Sequence, residues 1–308
     1  MNVRGLTRLV RLPNLVAVVV FQVLLQYGLI VPKLRAVGAP EGLGTWLFVL
    51  LVVATVCIAG GGNAINDYFD VTADRVNRPG RVVVGGDVCR REALLVHVVL
   101  TLVGVFAGGY VSFVLRREAF LLMFVGVPMV LWFYSTHFKR QFLVGNIVVA
   151  LLVALTGYIV VSADFTAIDR VAGGPDTGSE PLSGIWYMVC GYCMFAFLTN
   201  LGREIIKDME DAEGDRAQGC HTLVIDLGER YSKVVVTLIE VFTVVMMGVA
   251  AWEVSGVALR VYICVALILP TLGLVVGVWR GRTNRDYHRM SVLSKVIMML
   301  GVVSIVLI

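Results

Sequence analysis

Two stretches of the chain repeat one arrangement of carboxylates. Asn66-Asp67-Tyr-Phe-Asp70-Val-Thr-Ala-Asp74 and Lys207-Asp208-Met-Glu-Asp211-Ala-Glu-Gly-Asp215 each space three aspartates three and then four residues apart. On a helix, positions i, i+3 and i+7 share one face. Each stretch therefore predicts a stripe of three carboxylates closing an apolar run. A single stripe has an ordinary explanation as a solvated helix end. For the second stripe, a surface ion-pair network with Arg203, Lys207 and Arg216 is the competing one. Two stripes of identical spacing point instead to two halves of one site.

Carboxylates gathered in this way repel one another, so a cation must offset them. Calcium is a poor match. Counting from Asp70, position six is Arg75 and position twelve is Arg81; counting from Asp208, position six is Glu213. A calcium loop needs glycine at six and glutamate at twelve. Mg²⁺ is held by one or two carboxylates together with phosphate oxygens and water, which suits the stripes better. The basic residues agree: Arg78 and Arg81 follow the first stripe, Arg203 and Lys207 lie before the second, and Lys139 closes the short loop Tyr134-Ser-Thr-His-Phe-Lys139-Arg140. A bare cation site would exclude them. A diphosphate site would use them, with metal on some oxygens and arginine or lysine on the rest.

The elements that position these groups are membrane helices. Of 308 residues 58% are hydrophobic and only 16% are charged, with mean hydropathy +0.85. Soluble domains carry roughly 25% charged residues. About 20 apolar residues cross a bilayer. Nine such runs are legible, near 12–31, 45–66, 93–115, 119–136, 142–162, 185–201, 234–252, 257–279 and 290–308. The expected fold is all-α and integral to the membrane, one domain over residues 1–308 with the two motifs marking a two-half pseudo-repeat. The first run reads as an uncleaved span, because no small-x-small cleavage site follows it. With a cytoplasmic N-terminus, 20 of the 26 lysines and arginines fall on the cytoplasmic side, Lys295 and Lys233 counted among them. That bias sets orientation and puts both stripes on the same face. The segment 163–184, with Gly173, Gly174, Pro175, Gly178 and Pro181, reads as an irregular external loop.

A diphosphate at a membrane face, above apolar helices, implies an amphiphile whose tail lies among those helices. An isoprenyl diphosphate fits. Here the motifs carry a resemblance. Asn66-Asp67-x-x-Asp70-x-x-x-Asp74 with Asn77-Arg78-Pro79-x-Arg81, and Lys207-Asp208-x-x-Asp211-x-x-x-Asp215, resemble the two signatures of the UbiA-type intramembrane prenyltransferases. The Tyr134–Lys139 loop and Arg11-x-Pro13-Asn14 are also similar to family positions, and the likeness runs over most of the chain. One departure is Arg81-Val82, where the family often continues Arg-Pro. The resemblance implies nine helices around a central cavity and Mg²⁺-dependent prenyl transfer from a prenyl diphosphate to a lipophilic acceptor. It implies Asp67, Asp70, Asp74, Asp208, Asp211 and Asp215 as the metal shell, and Asn66, Arg78, Lys139, Arg203 and Lys207 on the diphosphate. Tyr134 and Lys139 are the catalytic candidates. The stretch Arg203–Arg216 looks most like the branch that adds a second geranylgeranyl group to geranylgeranylglyceryl phosphate. An aromatic acid or quinone precursor is the alternative acceptor. The expected location is a bacterial or archaeal cell membrane, with membrane lipid but no nucleic acid among the partners.

Other polar residues have plainer expectations. Asp87, Glu92, Glu213, Asp226 and Glu229 read as solvated charges, and His97 as a packed residue. His137, His221 and His288 share the active face without being needed by a carboxylate-rich Mg²⁺ site. Tyr134 either orients or deprotonates an acceptor or anchors the interface. Arg11 reaches the diphosphate or sets topology, the second slightly favoured. Asn63 is a ligand or a helix contact. Glu240, inside a span, is either functional or a boundary charge. Cys190 and Cys193 form a CxxC without a second pair or histidine, so they read as small apolar residues. A carrier for cations or anionic metabolites is the rival from another class. Carriers, however, usually place acids near the bilayer midplane in broken helices. A soluble prenyl diphosphate synthase is excluded by nine apolar runs.

Overall fold

Apolar stretches that cross a bilayer fold as helices, because lipid offers no partner for an open backbone N–H or C=O. The computed structural model describes all residues except 1, 41, 78–81, 173–179 and 218. Arg78, Pro79 and Arg81, and Gly173, Gly174, Pro175 and Gly178, lie outside the described residues. The helices are α1 (Val3–Leu9), α2 (Leu12–Ala36), α3 (Thr45–Phe69), α4 (Val71–Asn77), α5 (Arg90–Leu115), α6 (Glu118–Thr136), α7 (Val144–Ala172), α8 (Glu180–Ala217), α9 (Leu223–Leu227), α10 (Glu229–Glu253), α11 (Val257–Arg280) and α12 (Asn284–Leu307). Among the described residues nine of these, all but α1, α4 and α9, are long and apolar enough to cross a membrane. There is no strand among the described residues, and one isolated bridge joins Val84 to Val88.

The helices overrun the apolar runs that announce them. α8 has 38 residues. At 1.5 Å per residue it is ~57 Å long, against a hydrocarbon core of ~30 Å. Its charged second half therefore stays helical past the apolar segment. The expectation of an irregular loop over 163–184 is corrected. α7 continues to Ala172 and α8 starts at Glu180. Asp164, Phe165 and Ile168 are buried, so this segment packs. Asp164 is accommodated because its Oδ1 accepts from Gln26 Nε2 at 3.0 Å and from the Leu43 amide at 2.7 Å. Gln26 lies in a π-helical turn, Leu24–Ile30, directly before Pro32; a second, Ile263–Ile268, comes before Pro270. Proline removes the amide that an α-helix would use there, and the wider turn absorbs the loss.

The chain divides into two compact units, 1–138 with 156–189, and 139–155 with 190–308. Each holds one carboxylate stripe. In the first unit α3 packs along α5 through small residues, which let backbones approach when lipid provides no hydrophobic drive. A Cβ on Gly104 of α5 would lie 3.0 Å from the Ala54 carbonyl oxygen and 3.1 Å from the Ile58 nitrogen. The Gly61 carbonyl meets His97 Nδ1 at 3.0 Å, so the lone histidine packs, as expected. The 82–89 turn tucks Val84 and Val88 against Leu9, Ala64, Val71 and Ala93, beneath the first stripe. In the second unit Ile205, Ile206 and Met209 of α8 form a core with Val236, Leu274 and Ile297. Large apolar side chains such as Phe106, Phe113, Leu122 and Trp252 stay exposed, where lipid tails would cover them.

Candidate active site in two carboxylate stripes

The first stripe forms where α3 ends. Asp67 is the last buried residue of α3, Asp70 is its C-cap, and Asp74 lies in α4. The stripe thus spans a helix break, a refinement of the single helix expected. The Asp70 amide bonds the Asn66 carbonyl at 3.0 Å and the Asp74 amide bonds the Asp70 carbonyl at 2.9 Å, so helical hydrogen bonding carries across the break. Asn66 Nδ2 donates to Asp70 Oδ2 at 2.8 Å, while Asn66 Oδ1 is buried without a partner.

Arg11 enters this site. Its Nη2 donates to Asp67 Oδ1 at 2.8 Å. The ion pair joins a guanidinium with 40% of its side chain exposed to a carboxylate with 8% exposed. Asp67 raises the Arg11 pKa well above its ordinary value, with Tyr134 adding to the effect. The backbone at Arg11 is left-handed, φ 55° and ψ 53°, which costs a non-glycine residue ~1–2 kcal/mol. It is the corner between α1 and α2, where Pro13 starts the next helix and Asn63 Nδ2 grips the Val10 carbonyl at 2.9 Å. Asn63 is therefore a helix contact. Arg11 thus holds the first carboxylate of this stripe, a contact that neither reading of it named. Tyr134 is half-buried in α6, within electrostatic reach of Arg11.

The second stripe lies on one continuous helix, as expected. Asp208, Asp211 and Asp215 are half-buried on α8, and Glu213 is exposed off the stripe. Asn146 of α7 donates from Nδ2 to Asp208 Oδ2 at 2.8 Å. Glu204, four residues before Asp208, is buried and bridges two cations: Arg203 Nη1 to Oε1 at 2.6 Å and Lys207 Nζ to Oε2 at 3.0 Å. Sequence reasoning gave Glu204 and Asn146 no role. The signal for Glu204 was its place between two cations and one helical turn from Asp208; Asn146 had none. Lys139 is half-buried in the 3₁₀ turn Phe138–Arg140, whose Arg140 carbonyl accepts the His221 amide at 2.8 Å.

Several charges expected to be solvated have structural partners. Asp87 pairs with Arg8, Glu92 caps α5 through the Cys89 amide at 2.9 Å, Asp226 meets His221 at 3.1 Å, and Glu229 binds Lys233 at 2.7 Å. These lie at helix ends, where open backbone groups and neighbouring cations recruit carboxylates. Lys233, counted among the cytoplasmic-side cations, is buried and donates to the Gly281 carbonyl at 2.8 Å. His288 meets Glu210 at 2.9 Å. Glu240 is 1% exposed inside α10, its Oε1 without a partner beside Gly202. Cys193 is buried and Cys190 half-buried, and the six cysteines, all among the described residues, form no disulfide.

Among the described residues no three His, Cys, Asp or Glu side chains converge into a ready cation cage. What fits a hard cation is the donor chemistry: aspartate oxygens throughout, and the buried Asn66 Oδ1 beside Asp70.

Residues 34–300 match the UbiA prenyltransferase family. A digeranylgeranylglyceryl phosphate synthase of Thermococcus kodakarensis is 33% identical over 271 residues, 87% of this chain and 86% of that protein. One from Methanopyrus kandleri is 32% identical over 84% of this chain and 87% of its own length. Among solved structures, a UbiA homolog from Aeropyrum pernix K1 superposes with a TM-score of 0.63 at 19% identity, covering 90% of this chain and 94% of that one. A UbiA homolog from Archaeoglobus fulgidus bound to DMAPP and Mg²⁺ has a TM-score of 0.62 at 17% identity, covering 99% and 100%. With nine helices long and apolar enough to span a membrane among its described residues, two aspartate stripes and relatives that align over most of its length, this chain belongs to the UbiA prenyltransferase family.

Proposed function

We propose that this membrane prenyltransferase transfers a geranylgeranyl group from its diphosphate to geranylgeranylglyceryl phosphate, using Mg²⁺. The acceptor hydroxyl attacks the allylic carbon, the carbon–oxygen bond to the diphosphate breaks, and the hydroxyl proton is lost. The observation that carries the chemistry is the pairing of each aspartate stripe with cations: Arg11 on Asp67 in one unit, and Arg203 with Lys207 around Glu204 beside Asp208 in the other. The acceptor is supported by the relatives' names at 32–33% identity. The Archaeoglobus fulgidus homolog bound to DMAPP and Mg²⁺ supports the metal.

Asp67, Asp70 and Asp74 in one unit, and Asp208, Asp211 and Asp215 in the other, would hold Mg²⁺, which would offset charge on the departing pyrophosphate. Arg78, Lys139 and Lys207 would neutralise phosphoryl oxygens, with Arg203 a further phosphoryl-binding cation, and Asn66 would add a neutral amide N–H to them. Arg11 would keep the Asp67 carboxylate ionised and in place for the ion. Tyr134 orients the acceptor hydroxyl, and Lys139 assists departure of the pyrophosphate. The lysine and arginine distribution supports a site facing the cytoplasm.

Purified protein in nanodiscs, given labelled geranylgeranyl diphosphate and Mg²⁺, is expected to yield product with geranylgeranylglyceryl phosphate and none with 4-hydroxybenzoate or dihydroxynaphthoate. Product with an aromatic acid alone would keep the chemistry and overturn the acceptor.

A further inference from the structure

Each stripe opens with an aspartate gripped from outside its own helix. Asp67 accepts from Arg11 at 2.8 Å, and Asp208 accepts from Asn146 at the same distance. The two gripping residues share a backbone feature. Among the described residues three non-glycines, Arg11, Arg116 and Leu143, adopt a left-handed conformation. Arg11 is the corner that starts α2, and Leu143, at φ 54°, directly precedes α7, whose third residue is Asn146. Such strain persists only where surrounding contacts over-determine it, and it gathers at functional sites.

At Leu143 the contacts come from the core around α8. The Leu143 side chain packs against the cluster that includes Ile205, Ile206 and Met209. Its carbonyl accepts the Ile147 amide at 3.0 Å, and the Arg140 carbonyl just before it accepts the His221 amide at 2.8 Å. The head of α7 is thus fastened to α8 and to the segment that follows α8. Asn146 is only 8% exposed there, so its amide is spent on the Asp208 carboxylate rather than on water.

Asp208 also feels the charges of Asp215, Glu204 and Lys207. The Lys207 ammonium donates to Glu204 at 3.0 Å. Asp215 and Glu204 repel the Asp208 carboxylate, and the bond from Asn146 holds it against that repulsion. A neutral amide does this without cancelling the carboxylate's charge, which the Arg11 guanidinium at Asp67 partly does. Outer partners of this kind orient a ligand, and removing one typically costs roughly 10–100-fold in metal affinity.

We propose that Asn146 is a positioning residue: it fixes the Asp208 carboxylate in the orientation that receives Mg²⁺. The role rests on the reading of the stripes as a Mg²⁺–diphosphate site and extends that site to a residue outside both motifs.

The test is equilibrium binding of labelled geranylgeranyl diphosphate at rising Mg²⁺. Asn146→Leu removes the N–H and keeps much of the shape; Asn146→Ala removes it with less demand on packing. Either variant is expected to raise the Mg²⁺ concentration at half-maximal binding by about tenfold or more. Binding without Mg²⁺ should stay unchanged, and Asn146→Gln, which returns a donor on a longer arm, should recover part of the loss. Residues that act through one carboxylate are not additive. The double variant Asn146→Leu with Asp208→Asn should therefore bind as Asp208→Asn does alone. An unmoved Mg²⁺ midpoint in both Asn146→Leu and Asn146→Ala would overturn the positioning role and leave the stripes standing. So would a further loss in the double variant, or a loss of Mg²⁺-free binding equal to the loss with the ion. Wild-type binding that ignores Mg²⁺ would overturn the stripe assignment, and this role with it.

Discussion

At the scale of the residue, the Arg11–Asp67 pair sets up an asymmetry that stability measurements can read. Removing Arg11 leaves a nearly buried carboxylate without its cation. Removing the charge of Asp67 leaves a guanidinium that is 40% exposed and reaches water. An orphaned buried polar group costs ~1–3 kcal/mol, and more when charged; the exposed partner loses little. In Mg²⁺-free detergent, Arg11→Ala is therefore expected to lower the unfolding midpoint more than Asp67→Asn does. Equal midpoints would mean that the pair is not the feature holding Asp67 in place. Most of the aspartates were legible because an i, i+3, i+7 spacing is a property of sequence. Arg11 was harder. Its role depends on a left-handed backbone corner that returns α1 and α2 past the end of α3. Glu204 was hidden for a related reason: it stands among neighbouring acids and off the repeated spacing.

At the scale of the element, the α3–α5 contact positions the first stripe. Gly104 lets the two backbones meet, and its neighbours there include a main-chain carbonyl and amide that have no rotamer to turn away. Gly104→Val should destabilise the protein by ~1–3 kcal/mol, the usual cost of overpacking. Circular dichroism during heating in detergent would show a lower midpoint. An unchanged midpoint would indicate that α3 and α5 slide apart at no cost. Apolar runs identified the nine helices that, among the described residues, are long and apolar enough to span, because lipid forces helicity on such runs. Their ends were less legible. α8 runs 16 residues past its apolar run, and α7 and α8 extend helix into the segment read as a loop. In both places polar side chains find partners inside the protein, as Asp164 does with Gln26 and Leu43, and hydropathy does not register such pairing.

At the scale of the whole molecule, topology is open to test with the natural cysteines. Cys89 is exposed in the turn before α5, and Cys264 is exposed within the spanning helix α11, where lipid would surround it. A charged, membrane-impermeant maleimide should label Cys89 in inside-out vesicles and spare it in intact cells, with Cys264 protected in both. Labelling of Cys89 from outside the cell would reverse the orientation. The two motifs suggested two halves but not where one ends: two of the boundaries, 155/156 and 189/190, fall inside α7 and α8, where neither composition nor turn residues change, and the third lies in the turn Phe138–Arg140.

The claim that the aspartate stripes hold a Mg²⁺–diphosphate is tested most directly by binding. Equilibrium binding of labelled geranylgeranyl diphosphate would be measured with and without Mg²⁺, on wild type, Asp67→Asn and Asp208→Asn. Wild type is expected to bind at least about tenfold more tightly with the ion. Each variant should lose that gain while keeping its fold by circular dichroism. Binding that ignores Mg²⁺, or a gain that survives both substitutions, would contradict the assignment of the stripes.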